Sequence, residues 1–216
     1  MKKGIFIAID GIDGCGSTTQ VEILGKYLQK RGESVHLTRE PSEFEIGKLL
    51  RKYLKKPETP IPTDALLFAA DRVEHYYKEI LPKIQNDYIV VSDRYLESSI
   101  AYQATQIILN KKLSDNPISV EKAIEWIQNI NKFVPLPDIT FILDIDPRFS
   151  LKRKYSKLDS DDIEKFENES FLNEVRKIYI LRAKTLEFIL IDAHQSLKVV
   201  SGEISKVLMD YMKKMA

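Results

Sequence analysis

The sequence GIFIAIDGIDGCGSTT, residues 4–19, decides the fold. Its first half, residues 4–10, is a short apolar run of the kind that forms a buried strand. Gly11 and Gly16 then have the Gly-x-x-x-x-Gly spacing of a phosphate-binding loop, and the hydroxyl residue Thr18 follows two places later. Where a strand leads through a glycine turn into a helix, backbone N–H groups point inward and the helix N-terminus carries partial positive charge. Together these groups form a binding site for an anion. The stretch therefore predicts a phosphate loop.

One position of this loop departs from the usual motif. A lysine normally precedes the hydroxyl residue and reaches the outer phosphates, but this chain has Ser17 there. The two other Gly-Lys pairs, at residues 25–26 and 47–48, lack the leading glycine that the motif requires. Three interpretations stay open: a working nucleotide enzyme with its positive charge elsewhere, a disabled relative, and a glycine turn without a ligand.

Length and composition exclude several classes of protein. A chain of 216 residues with 44% hydrophobic and 30% charged residues is typical of a globular protein, and we interpret residues 1–216 as one domain. The formal net charge of +1 provides no basic field for nucleic acid. No apolar run is long enough for a secretory signal or a membrane span, and the single cysteine, Cys15, excludes an internal disulfide framework. We expect a cytoplasmic protein that binds neither nucleic acid nor membranes.

Short apolar runs alternate with helical patterns along the rest of the chain. The predicted strands are residues 4–10, 34–38, 88–94, 139–146 and 188–192. The predicted helices are residues 18–31, 63–84 with a kink or restart at Pro82, 97–110, 119–132, one from Pro147, one through Tyr179, and 197–214. Strands that are nearly all apolar and alternate with helices indicate a parallel sheet covered on both faces. We predict an α/β fold of the P-loop NTPase type, with three layers and a five-stranded parallel sheet.

Charged side chains follow four of the five predicted strands. They are Asp10 and Asp13, Arg39 and Glu40, Asp93 and Arg94, and Asp144 and Asp146. Because the carboxyl ends of parallel strands meet at one edge of the sheet, where such folds bind ligands, we expect the site at that edge. Asp144 and Asp146 are equally suited to capping the helix at Pro147, and we assign them no catalytic role.

Several further segments give the chain a resemblance to one enzyme family. The segments are FIAIDGIDGCGSTTQ (6–20), TREP (38–41), EIGKLLRKYL (45–54), LLFAADRVEH (66–75), VVSDRYLESSIAYQ (90–103), LDIDP (143–147), and FE through VRKIY (166–179). In this order they resemble the thymidylate kinases, which are nucleoside-monophosphate kinases. The resemblance implies ATP- and Mg²⁺-dependent phosphorylation of dTMP to dTDP in dTTP synthesis, a small mobile lid on the fold, and a homodimer. Residues 104–137 contain little of this signature.

The resemblance also implies two adjoining sets of binding residues. The phosphate loop, residues 11–18, would bind ATP through Gly11, Asp13, Gly14, Cys15, Gly16, Ser17, Thr18 and the following Thr19. The segment 38–110 would form most of the dTMP site, whose implied residues are Asp13, Arg39, Phe68, Arg72, Arg94, Ser98, Tyr102 and Gln103. The implied catalytic residues are Arg39, Asp93, Arg94 and Arg153, and the implied Mg²⁺ residues are Thr18 and Asp93.

The side chains assigned to the base suit that role chemically. An aromatic face such as Phe68 stacks on a flat heterocycle, and Arg72, one helical turn further on, would reach a thymine carbonyl. The amide of Gln103 can meet both a donor and an acceptor on the base, with Tyr102 completing the pocket. Without the resemblance, Phe68 is by default a core residue, Tyr102 can be interpreted as ordinary packing, and Arg72 as a partner of a neighbouring acid on a solvated helix face.

The side chains assigned to the acceptor phosphate and sugar are also suitable. The planar guanidinium groups of Arg39 and Arg94 favour bidentate contact with a phosphate. The carboxylate of Asp13 would accept a hydrogen bond from the sugar 3′-hydroxyl, and Asp93 would organise Mg²⁺ through water. Residues 192–195 resemble the loop that contacts adenine through its backbone.

A basic segment at residues 148–162 is the implied lid, and it is a candidate source of the missing positive charge. Some family members have an arginine inside the loop, at the position of Gly14, and others have arginines in the lid. This chain resembles the second kind, and our hypothesis is that Arg153, helped by Arg148 or a nearby lysine, contacts the transferred phosphate. The alternative is that these charges lie on a solvated amphipathic helix.

Two other functions stay open at the level of the sequence. The first is a kinase that prefers another pyrimidine monophosphate, dUMP or UMP. The second is a nucleotide-binding regulator with weak catalysis, which the absence of the loop lysine favours.

Overall fold

In the computed structural model, which describes residues 4–56, 58–110, 118–155 and 168–215, five strands form a parallel sheet. The strands are β1 (Ile5–Gly11), β2 (Val35–Arg39), β3 (Ile89–Asp93), β4 (Ile139–Asp144) and β5 (Ile189–Asp192). Their order across the sheet is β2-β3-β1-β4-β5. The predicted five-stranded parallel sheet is therefore confirmed.

Helices connect these strands and cover the sheet. They are α1 (Ser17–Lys30), α2 (Glu45–Leu54), α3 (Ile61–His75), α4 (Leu81–Gln85), α5 (Leu96–Leu109), α6 (Val120–Ile130), α7 (Pro147–Tyr155), α8 (Glu169–Thr185) and α9 (Leu197–Met215). Helix α1 packs against α9, whereas α5 packs against α3, α6 and α8. These two groups of helices form the outer layers of the three-layer α/β fold that the sequence predicts.

The central strands are buried because helices cover both sides of the sheet. Every residue of β1 and of β3 is buried, and Ile7 and Ile9 in β1 are fully enclosed. This accounts for the continuous apolar runs in the sequence, since a strand covered on one face only would alternate with polar residues. Within the described residues, no helix combines the length and the apolar character needed to cross a bilayer.

Two parts of the helical prediction need correction. The helix predicted at residues 63–84 is divided into α3, one turn of π-helix at Tyr76–Ile80, and α4. The N–H of Leu81 donates to the carbonyl of Tyr76, five residues earlier, directly before Pro82, which has no N–H of its own. Helix α2 was not predicted as an element, although its apolar residues recur at the 3- and 4-residue spacing of an amphipathic helix.

The strand register brings the expected polar residues to one edge of the sheet. Ile9 of β1 lies opposite Asp93 of β3, and Asp93 lies opposite Arg39 of β2. The phosphate loop and Arg94 follow directly after β1 and β3, at the same edge. The carboxyl ends of three strands therefore converge where the sequence predicts the site.

Candidate active site

The phosphate loop connects β1 to α1 through backbone that requires glycine. Gly14 and Gly16 have φ angles of 78° and 100°, in the left-handed region that other residues rarely adopt. A Cβ atom at Gly16 would meet no atom within 4 Å, so the loop is open on that side. The N-cap residue of α1 is Gly16, which has no side chain to cap the helix. The exposed N–H groups and the helix dipole suit a phosphate.

A side chain at the position of Gly14 would collide with α7. A Cβ atom there would collide with the backbone carbonyl of Ser150, which belongs to α7. Ser150 is itself fully buried, so α7 packs tightly on the phosphate loop. The close contact explains why this chain has glycine where an arginine would otherwise point from the loop.

Thr18 and Asp93 form a pair beside the loop that is suited to Mg²⁺. The Thr18 hydroxyl donates to Asp93 Oδ2 at 2.5 Å, while Asp93 Oδ1 is buried and accepts no hydrogen bond from the described residues. A hydroxyl and a carboxylate with an unused oxygen match the oxygen ligands and bound water that Mg²⁺ prefers. Among the described residues, no cluster of three or more His, Cys, Asp or Glu side chains could hold a metal ion. A cation here would therefore complete its shell with phosphate oxygens and water.

Arg94 connects the phosphate loop to the neighbouring cavity. Its backbone is left-handed, with φ 70°, which turns the side chain back towards the loop. Its guanidinium donates to Asp13 Oδ1 at 2.6 Å, and to the Gly11 carbonyl and the Ser98 hydroxyl, each at 3.1 Å. The Tyr102 hydroxyl donates to the same Asp13 oxygen at 2.9 Å. These contacts hold Arg94 rigidly at the boundary between the two halves of the site.

Two buried carboxylates in this network have opposite pKa shifts. Burial tends to raise the pKa of Asp13, but the positive charges of Arg94 and Lys154 outweigh it and lower that pKa below its usual value. Burial dominates at Asp10 and raises its pKa to about 6, although the Ser98 hydroxyl donates to it at 2.5 Å. Ser98, which the sequence assigns to dTMP, is thus also bound to a carboxylate beneath the site.

A cavity of about 320 Å³ lies beside the phosphate loop. The residues that line it are Asp13, Arg39, Glu40, Pro41, Arg51, Leu54, Phe68, Arg72, Asp93, Arg94, Tyr95, Ser98, Tyr102 and Gln103. All eight residues assigned to dTMP by the resemblance are in this set. Its volume lies within the range of small-molecule sites, about 300–1,000 Å³.

Arg72 lines this cavity and is 1% exposed. Its Nε donates to Glu40 Oε2 at 2.9 Å, and its Nη1 and Nη2 donate to Asn131 Oδ1 at 2.5 Å and to Ser99 Oγ at 2.8 Å. Its ion-pair partner is therefore the buried Glu40 at the end of β2, and not an acid on a solvated face of its own helix. Such a fixed guanidinium presents one geometry to a ligand.

The sequence analysis missed one arginine of the cavity, Arg51 of α2. Arg51 and Arg39 donate to the same oxygen of Glu43, at 2.6 Å and 2.5 Å, and Arg51 also donates to the Ser42 carbonyl. The hydrogen bonds from Arg39, then from Arg51, lower the pKa of Glu43 to about 2. The amphipathic spacing of residues 45–54 was the available signal, since it places Arg51 on a helix next to TREP. Together with Arg94, these two arginines place positive charge along the lining of the cavity.

Helix α7 directs two consecutive cations to different places. Arg153 Nη1 donates to the Ala193 carbonyl at 3.0 Å, in the loop after β5, whereas Lys154 Nζ donates to Asp13 Oδ2 at 3.3 Å. Arg148 pairs with Asp146 at 2.9 Å. Residues 156–162 of the implied lid lie outside the described residues. The role of Arg153 at the transferred phosphate stays a prediction.

The fold and this two-part site define a nucleotide-dependent phosphotransferase of the P-loop class. A family model described as thymidylate kinase matches residues 9–204. A probable thymidylate kinase of Pyrobaculum calidifontis is 43% identical over 203 residues, covering 94% of this chain and 92% of the relative. Another, of Methanosphaera stadtmanae, is 41% identical over 216 residues, covering 97% of this chain and 100% of the relative. A thymidylate kinase of Prochlorococcus marinus is 37% identical over 221 residues, with coverages of 98% and 95%. This chain belongs to the thymidylate kinase family.

Proposed function

We propose that this chain transfers the γ-phosphoryl group of ATP to dTMP, giving ADP and dTDP, with Mg²⁺ bound beside Thr18 and Asp93. The observation that carries the proposal is that the phosphate loop adjoins the cavity. Asp13 belongs to the loop and also lines the cavity, together with the other seven residues that the resemblance assigns to dTMP. The cation would neutralise charge on the phosphate oxygens.

The acceptor phosphate would be bound by Arg39, Arg51 and Arg94, which line the cavity. Arg94 is held by Asp13, while Arg39 and Arg51 share Glu43 at the exposed side. Phosphoryl transfer needs alignment and charge neutralisation more than proton removal, and a phosphate acceptor is already anionic. No general base is required, and the three arginines supply the positive charge that brings the acceptor to the loop.

The part of the cavity lined by Phe68, Arg72 and Gln103 suits a pyrimidine base. Phe68 offers an aromatic face, and the buried Arg72 is fixed by Glu40 and Ser99. The Gln103 Oε1 atom is buried and accepts no hydrogen bond from the described residues, which is costly unless a ligand supplies a donor. A pyrimidine N–H is such a donor.

A coupled ATP-consumption assay with each nucleoside monophosphate in turn tests this proposal. We expect the highest kcat/KM with dTMP and strict dependence on Mg²⁺. A preference for dUMP or UMP would support the alternative pyrimidine kinase, and nucleotide binding without ADP formation would support the regulator. The same panel with Phe68→Ala tests whether the cavity is the acceptor site, because only the monophosphate KM should rise.

We also propose that the protein forms a homodimer through an apolar face formed by α2, α3 and the residues that follow α3 and α6. This face includes Leu66 of α3, Tyr77 of the π-helical turn and Phe133 after α6, which are 53%, 53% and 62% exposed. Exposed apolar patches rimmed by polar residues are typical of protein interfaces. Leu66→Asp should give a monomer in analytical ultracentrifugation, while Leu197→Asp, at an equally exposed leucine on α9, should leave the oligomeric state unchanged. The cytoplasmic location stays a prediction.

A further inference from the structure

The phosphate loop lacks a side-chain cation where the transferred phosphate needs one. Residues 11–19 contain no lysine or arginine, and Ser17, at the position of the usual lysine, is a neutral and nearly buried hydroxyl. Charge on the transferring group is stabilised by groups that are already in place before the reaction. A positive charge from another element is therefore expected close to the loop.

Helix α7 brings such a charge to the loop. The Ser150 carbonyl occupies the space that a side chain at Gly14 would fill, which fixes α7 against the loop. Lys154 follows Ser150 by four residues and so lies on the same face of the helix. Its side chain is 19% exposed, and its Nζ atom lies 3.3 Å from Asp13 Oδ2. The ammonium group is therefore anchored within the loop itself.

The neighbouring cation, Arg153, has a different place. Successive residues of a helix point about 100° apart, so Arg153 and Lys154 leave α7 in different directions. The Arg153 guanidinium contacts the Ala193 carbonyl after β5, the strand at the far edge from the dTMP cavity. Lys154 instead shares Asp13 with Arg94, which donates to the other oxygen of that carboxylate. Among contacts within the described residues, it is Lys154 of these two cations that reaches Asp13, which belongs to the loop and lines the acceptor cavity.

We infer that Lys154 is the cation of the donor site and does from α7 what the missing loop lysine does in the usual motif. This inference rests on the proposed function, because it gives Lys154 a place beside the phosphate that passes from ATP to dTMP. A lysine ammonium has three donors, so it can keep its contact with Asp13 while it binds a phosphate oxygen.

The test compares variants of α7 in the coupled assay. Lys154→Ala should lower kcat by roughly 100-fold, the effect of removing one preorganised charge-stabilising group. Lys152→Ala removes the same charge from an exposed position on the same helix and should leave kcat unchanged. Lys154→Gln keeps most of the side-chain length and should lose as much kcat as Lys154→Ala, with an unchanged melting temperature showing that α7 is still packed. A kcat for Lys154→Gln within threefold of the unmodified protein would overturn the inference.

Calorimetric titration distinguishes direct binding of the ATP phosphates by Lys154 from a role limited to positioning Asp13. With Mg²⁺ and β,γ-methylene-ATP, Lys154→Gln should bind roughly tenfold or more weakly, as expected for a lost charged hydrogen bond, while dTMP affinity is retained. Weaker dTMP binding with unchanged affinity for the ATP analogue would show that Lys154 only holds Asp13, and would refute the inference. If the unmodified protein binds the analogue but does not phosphorylate dTMP, the proposed function fails, and the analogue titration still decides the place of Lys154.

Discussion

The contact between Gly14 and α7 gives a prediction with a matched control inside the chain. Gly14 and Gly32 have nearly the same left-handed backbone, with φ of 78° and 81°. A Cβ atom at Gly14 would collide with the Ser150 carbonyl, whereas one at Gly32 would meet no atom within 4 Å. Gly14→Ala and Gly32→Ala therefore share the cost of the backbone conformation and differ only in the collision.

The magnitudes follow from these two contributions. Left-handed backbone costs a non-glycine residue roughly 1–2 kcal/mol, and the lower entropy of the unfolded chain returns about 0.4–1 kcal/mol, so Gly32→Ala should lose about 1.6 kcal/mol or less. Overpacking typically adds roughly 1–3 kcal/mol, so Gly14→Ala should lose about 1–3 kcal/mol more than Gly32→Ala. For a chain of this size each kcal/mol lowers the melting temperature by about 2–4 °C.

Urea unfolding of the two ligand-free variants measures this difference directly. The unfolding midpoint of Gly14→Ala should fall well below that of Gly32→Ala at the same m-value. Kinase activity should separate them further, because relief of the collision moves α7 and with it Lys154, while Gly32 lies far along the chain in the turn after α1. Equal midpoints and equal activities would refute the conclusion that α7 packs on the loop through Gly14.

Three further predictions concern the metal, the base and a buried acid. Asp93→Asn should lower kcat about 10- to 100-fold and raise the Mg²⁺ concentration needed for half-maximal rate, as measured by titrating Mg²⁺ in the assay; an unchanged Mg²⁺ requirement would contradict the assigned pair. Phe68→Ala should raise the KM for dTMP roughly 5- to 150-fold, the effect of losing one base stack, with an unchanged KM for ATP as the internal control. Burial raises the pKa of Asp10 from 3.8 in the unfolded chain to about 6, so between these values the folded state binds a proton that the unfolded state has lost. The free energy of unfolding therefore falls as pH rises from about 4 to 6, by up to about 3 kcal/mol. Asp10→Asn should remove that part of the slope in unfolding experiments between pH 4 and 7, and an identical pH dependence in both proteins would disprove it.

The sheet and most of the site could be predicted from the sequence because both depend on local patterns. Each strand is a continuous apolar run, and parallel strands carry their ends to one edge. The residues at those ends, such as Asp13, Arg39 and Arg94, then had to lie together. Phe68 and Gln103 do not follow from this pattern, and their assignment came from the family resemblance of their segments.

Other parts of the site depend on contacts that no local pattern encodes. Arg72 pairs with Glu40 across 32 residues, and Lys154 reaches Asp13 across 141 residues. The resemblance favoured Arg153 because some family members have arginines in the lid, but which cation of α7 lies nearest the loop depends on which face of the helix packs on Gly14. Helix α2, by contrast, has an amphipathic pattern that is visible in the sequence. Because the sequence analysis did not predict this helix, it also missed Arg51.

Arg94 and Lys154 bind the same carboxylate, that of Asp13, and this has a consequence for nucleotide affinity. A phosphate oxygen that shares the Lys154 ammonium with Asp13 leaves more negative charge on that carboxylate for Arg94, and an acceptor that engages Arg94 does the reverse for Lys154. Thermodynamic linkage requires such effects to be equal in both directions. We therefore expect the occupancy of each nucleotide site to change the affinity of the other through Asp13.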